Sequence, residues 1–116
     1  MSDSILRDKS KIFAKDIVFL CRKLKQNGVE SALINQLLRS GTSVGANVHE
    51  AQYAQGTKDF ISKFEIALKE CNESEYWLEL LYEVNSLCEQ DFKYLGKNCI
   101  ELRRMLVSTV TTLKSK

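Results

Sequence analysis

The sequence predicts an all-α protein, an up-down-up-down antiparallel four-helix bundle, on three observations. Proline is absent from the 116 residues and only five are glycine, so little interrupts a helix. Apolar residues recur at about 100° per position along four segments. The segments are parted by short stretches carrying Asn27–Gly28, Gly56–Thr57 and Asn85–Ser86, which suit helices that turn straight back along a neighbour.

The first helix is expected over about residues 5–27, with Phe13, Ile17, Leu20, Cys21 and Leu24 on one face. Gly28 ends it, because glycine tolerates the left-handed conformation of a C-terminal cap. The second, about 30–55, aligns Ile34, Leu37, Leu38, Val44 and Val48 and runs to Gly56. Thr57 is then expected to cap a third helix over 57–85, with Phe60, Phe64, Ala67, Cys71, Leu78 and Tyr82 on its core side. The fourth, 89–114, carries Phe92, Leu95, Cys99, Leu102, Leu106, Val110 and Leu113 at nearly heptad spacing, a seam that asks for partners at a shallow crossing angle. Four helices of about 20–28 residues give one domain, 1–116, roughly 30–40 Å long.

One stretch looks chemical: Leu37 to Ala51, LLRSGTSVGANVHEA. It lacks the spacing, the lysine and the preceding strand of a phosphate-binding loop, and it has no GxGxxG. His49 is the chain's one histidine, so the paired histidines of a metalloprotease helix and the Glu-x-x-His pairs of di-iron bundles are missing. Gly41 and Gly45 instead keep helical phase with Ile34, Leu37, Val44 and Val48. A glycine inside a helix costs about 0.5–1 kcal/mol relative to alanine, and close approach of a neighbouring helix is the natural compensation. The pair is therefore read as a helix-packing motif. Ser43, Asn47 and Glu50 lie on another face, where they bond another helix, another subunit or water.

The totals narrow the class further. Apolar residues make up 44% and charged residues 28%, ordinary for a globular protein. The N-terminal residues hold no apolar run of signal-peptide length, and no later run approaches a membrane span, so a cytoplasmic protein with no membrane partner is expected. Cys21, Cys71, Cys88 and Cys99 form no CxxC pair and at least three fall on apolar faces, the pattern of buried free thiols, with a disulfide or a zinc site as the lesser alternative. No metal, no cofactor and no catalytic residue is expected. An enzyme with a site assembled between subunits, for instance from His49, Glu50 and Tyr53, is the least favoured alternative.

The Arg39–Ala51 run, followed by DFISKFEIALKECNESEYWLELL, resembles the bacterial four-helix-bundle proteins of the 23S ribosomal RNA intervening-sequence family, also labelled S23 ribosomal proteins. The likeness extends from about Phe13 to Leu113. Phe60, Phe64, Ala67 and Glu75 match the family's second block, although a Gly–Ser stretch common before that glutamate is replaced here by Cys71–Ser74. The resemblance implies an up-down bundle that assembles as a ring-like homopentamer, with no established catalytic residues. A related branch, the accessory variability protein of diversity-generating retroelements, binds nucleic acid and a reverse transcriptase.

The net charge of +2 is unevenly distributed: residues 1–28 carry +4, 29–56 carry −1, 57–87 carry −4 and 88–116 carry +3. Lys11, Lys15, Arg22 and Lys25 form a stripe opposite the apolar face of the first helix, and Lys93, Lys97 and Arg104 do so on the fourth. These helices adjoin in an up-down bundle, so the stripes are expected to merge into a strip able to follow an RNA or DNA backbone. The plain alternative is a solvated helix face. A second set of apolar residues points away from the core: Ile5, Ile12 and Phe19 on the first helix, and Ile66, Trp77, Leu80 and Val84 on the third. A single protomer would expose them, which marks a homo-oligomer interface or a protein partner's site. Basic first and fourth helices meeting the acidic third helix of a neighbour would close a ring.

Overall fold

The four segments of helical spacing become four helices: α1 (Ser2–Gln26), α2 (Ser31–Ala51), α3 (Thr57–Glu83) and α4 (Glu89–Lys114). The computed structural model describes residues 2–116, with side chains from Ile5 onward. The helices pack in chain order around a ring, α1 on α2, α2 on α3 and α3 on α4, closed by a thinner seam between α1 and α4. The bundle measures 47 × 21 × 19 Å. It exceeds the expected length because α3 alone has 27 residues, about 40 Å of helix, and turns project beyond both ends.

The predicted faces form the core. Phe13, Ile17 and Leu24 of α1, Leu37 and Val44 of α2, Phe64 and Leu78 of α3, and Leu102 and Leu106 of α4 are all at most 2% exposed. The heptad seam of α4 is buried from Leu95 to Val110, while Phe92 and Leu113 close its ends half-buried. Phe92 lies flat on Tyr82, ring centroids 4.2 Å apart, and so seals the α3–α4 turn.

The helix ends differ from the sequence expectation in four places. α1 begins at Ser2, because Ser10 and Leu6 carry its buried face one and two turns further back than Phe13. α2 stops at Ala51 rather than 55: Tyr53 and Ala54 donate to carbonyls three residues back, tightening the chain into the turn to α3. Thr57 is the first residue of α3, not its cap; Gly56 holds the cap position, and the Asp59 carboxylate accepts the Gln55 N–H at 3.2 Å. α3 ends at Glu83 rather than 85, because Asn85 adopts the left-handed conformation with φ 63°.

Asn85 and Gly28 stop their helices in the same way. Gly28 has φ +76°, its N–H donates to Lys25 and the Val29 N–H reaches back to Leu24; Asn85 donates to Tyr82 and Ser86 to Leu81. Both are Schellman caps. Nothing lies within 4 Å of a Cβ at Gly28, so only backbone strain resists a side chain there. Gly28→Ala is expected to cost about 1 kcal/mol and Asn85→Gly to gain about 0.5–1 kcal/mol, read as opposite shifts of the urea midpoint.

Candidate interaction surfaces

The glycine run of α2 is where α1 comes closest. A Cβ on Gly41 would sit 2.8 and 2.9 Å from Ile17 Cγ1 and Cγ2, and one on Gly45 would sit 3.1 Å from the Ser10 carbonyl oxygen. The polar residues beside them turn back onto their own helix: Thr42 Oγ1 donates to Leu38 O at 2.7 Å, Ser43 Oγ to Arg39 O at 2.6 Å, and Asn47 Nδ2 to Ser43 O at 2.9 Å. Glu50 pairs with Lys63 of α3 at 3.1 Å, while His49 packs its ring against Tyr53. None of these groups is set against a nucleophile, and the described residues hold no cluster of three metal-binding side chains.

On the other side of α2, a polar clasp binds it to α3. Ser74 Oγ donates to Ser40 Oγ at 3.0 Å in the buried interior, and Ser40 Oγ donates in turn to the Leu37 carbonyl at 3.3 Å. Further out, Arg39 spans Glu70 and Glu73, and the Trp77 Nε1–H donates to Glu73 at 3.1 Å. The indole hydrogen bond, with Arg39 beside it, holds the Glu73 carboxyl below its ordinary pKa. Glu75 pairs with Arg103, and Glu65 with Lys114 at 2.6 Å. Much of the acidity of α3 is thus neutralised within the protomer, which leaves less of it for a neighbour than the sequence suggested.

The basic stripes lie on opposite sides of the bundle. Lys11 and Lys15 line an open groove between α1 and α2, together with Val18, Ala46 and His49. Lys93, Lys97 and Arg104 rim the groove between α3 and α4. Along the α1–α4 seam between them, Lys9 pairs with Glu101 at 2.9 Å, Lys23 with Asp91 at 3.1 Å, and the Tyr94 hydroxyl donates to Asp16 at 3.0 Å. The expected merger into one strip therefore fails. α1 and α4 do adjoin, but through mutually neutralised flanks that turn the cationic faces apart. Lys93 is also tied to Glu89 one turn back at 2.6 Å. Lys11, Lys15, Arg22, Lys25, Lys97 and Arg104 have no carboxylate partner among the described residues.

The second apolar set divides in two. Ile5, Ile12 and Phe19 are 50%, 52% and 61% exposed, a stripe along α1 beside the α4 seam, where Phe19 and Tyr94 border one shallow depression. The Arg22 guanidinium lies over the Phe19 ring, 5.9 Å from its centroid. On α3, Ile66 is exposed, as is Val84 just past its end, but Leu80 and Trp77 are half-buried. Trp77 packs against the core edge on the α2 side, so the lone tryptophan is not left bare as expected. The exposed residues of α1 and of α3 occupy different flanks.

Residues 2–108 match the family described as 23S rRNA-intervening sequence protein. The chain belongs to that family. A crystal structure of a protein with unknown function from the S23 ribosomal protein family of Bacteroides thetaiotaomicron is similar to it, with a TM-score of 0.92 and 41% identity over 96% of this chain and 99% of that one. No curated relative matches.

For a member of the intervening-sequence family, the Cys71–Ser74 segment carries a feature that pattern reasoning missed. Cys71 meets Cys99 across the α3–α4 seam, sulfurs 3.4 Å apart, and Ser74 forms the buried bond to Ser40. Periodicity placed both cysteines on core faces, but helical phase does not say which residue of α4 stands opposite which residue of α3. Cys21 is likewise a buried thiol, its pKa pushed up to about 11 by burial, whereas Cys88 is exposed at the start of α4. No helix among the described residues is long and apolar enough to cross a membrane.

Proposed function

We propose that this protein is a non-enzymatic homo-oligomer, a ring of five copies, that holds the phosphate backbone of RNA or DNA as an accessory factor. The observation that carries the assembly is the pair of unlike apolar flanks: Ile12 and Phe19 on α1, toward the α4 seam, and Ile66 on α3 with Val84 just past its end, on the helical face of Glu73 that meets α2. Two different patches on different flanks suit a head-to-tail contact, which closes into a ring when the rotation allows. The number five comes from the family resemblance. Repetition around a ring multiplies the unpartnered cations of α1 and α4, so a charge strip too short to hold nucleic acid in one protomer becomes multivalent. Lacking aromatic or helix-turn-helix readout, the contact is backbone-directed.

The alternative is a scaffold that uses the same cations to hold a protein partner, and it is favoured by the separation of the two basic grooves, which leaves no continuous track across one protomer. Light scattering of the protein with a labelled structured RNA and with a duplex DNA distinguishes the readings. A pentamer that shifts with nucleic acid at low salt supports the proposal, and one that ignores both supports the scaffold. For about four phosphate contacts, affinity should fall roughly 50–150-fold between 50 and 200 mM salt, the larger drop for duplex DNA. Lys15→Glu with Arg22→Glu is expected to abolish that binding while the mass in solution stays unchanged. Loss of the oligomer instead would assign both charges to assembly.

A further inference from the structure

The α3–α4 seam contains a pair of thiols with no evident need to be thiols. Cys71 and Cys99 are each 0% exposed and their sulfurs stand 3.4 Å apart. Each S–H also lies 3.2 Å from the other residue's backbone carbonyl, a reciprocal arrangement that draws the two helices together at mid-length. Two methyl-sized apolar groups would fill the same space. What cysteine adds is the ability to form a covalent bond across the seam.

We propose that Cys71 and Cys99 form a redox-active dithiol, a modification site at which a two-electron oxidant of the hydroperoxide class joins α3 to α4 through an intrachain disulfide. Sulfur–sulfur bonding needs about 2.05 Å, so roughly 1.4 Å must be closed, shared between two side chains already turned toward each other. Either thiol can donate the hydrogen bond between the sulfurs, so one S–H stabilises the other sulfur as a thiolate while burial holds the donor protonated; with the Cys99 S–H as donor, Cys71 is the one that ionises, and the Arg103 guanidinium nearby favours the thiolate. Arg103 is held in place by its pairing with Glu75.

The chemistry balances in two steps. The Cys71 thiolate attacks one peroxide oxygen; an S–O bond forms, the O–O bond breaks, and the departing hydroxide takes up the proton Cys71 released, leaving as water. Cys99 sulfur then attacks Cys71 sulfur, the S–O bond breaks, and the Cys99 proton leaves with the hydroxyl as a second water. Two thiols lose two electrons, and one peroxide becomes two waters. The oxidant is small and neutral, as entry to a buried pair requires. A groove lined by Gly96 and Ile100 runs along the α3–α4 seam, and because both thiols are fully buried the oxidant reaches them only by local opening of that seam.

The test starts from Cys88→Ser, which removes the exposed thiol and its intermolecular disulfides. Cys88 caps α4, its sulfur accepting the Asp91 N–H at 3.5 Å, and serine serves that position at least as well. The folded protein is treated with hydrogen peroxide, denatured with an alkylating agent present, and examined by mass spectrometry. The expected result is a loss of about 2 Da, a linked peptide pair containing Cys71 and Cys99, and reversal by dithiothreitol. The melting temperature should rise by roughly 10 °C and fall back on reduction, since the bond closes a long loop in the unfolded chain. Adding Cys71→Ser should abolish the 2 Da loss, the linked peptide pair and the reversible rise in melting temperature. The proposal is overturned if both thiols still alkylate after peroxide, or if oxidation only adds oxygen that dithiothreitol cannot remove.

Discussion

Gly41→Leu is expected to destabilise the bundle by about 3 kcal/mol, lowering the melting temperature by more than 10 °C. The first atom of any side chain there would lie 2.8 Å from Ile17 Cγ1, well inside contact distance, and leucine adds three more carbons in the same direction. Ile17 is itself fully buried and has nowhere to go. Leucine's better helix propensity returns at most about 1 kcal/mol. The cause is open to a direct check: Ile17→Ala removes both clashing carbons, so the double variant should lose much less than the sum of the single losses. Additive losses would place the damage elsewhere than the α1–α2 approach. At Gly45 the obstacle is the Ser10 backbone carbonyl, which cannot rotate away, so there even alanine must push the helices apart.

Ile12→Asp together with Phe19→Asp is expected to reduce the mass in solution to that of one protomer at micromolar concentration, with little change in melting temperature. Both residues are more than half exposed, so the protomer gives up no core contact, and surface changes of this kind usually fall within about 0.5 kcal/mol. A buried carboxylate in an apolar interface is far costlier, because the charge loses its water. Ile66→Asp with Val84→Asp should have the same effect from the other flank. Mixing the two variants makes the test specific to head-to-tail assembly: one intact α1 flank and one intact α3 flank remain, so pairs should form and grow no further. A like-with-like interface would give no pairs on mixing. If either variant keeps the full assembly mass, the flanks are not the contact.

Four helices, their core faces and the packing role of the glycines were legible in the sequence, because all three follow from spacing along a single helix. Apolar residues that recur every three or four positions must share a side, whatever that side meets. Left-handed caps were legible where glycine marks them, as at Gly28, and were missed at Asn85, whose side chain disguises the same backbone conformation. Relations between helices were not legible. Whether Lys15 and Lys97 join one strip, whether Trp77 is bare, and whether α3's acids are free all depend on the rotation and offset of one helix against another. The tertiary structure decided each: the basic stripes point apart, Trp77 tucks against Glu73, and Arg39, Arg103 and Lys114 neutralise much of α3. It also set Cys71 opposite Cys99, although 28 positions separate them in the chain. Sequence alone determined which face each helix buries, since periodicity is local; packing determined which buried and exposed groups meet, since register is set only when all four helices close on a common core.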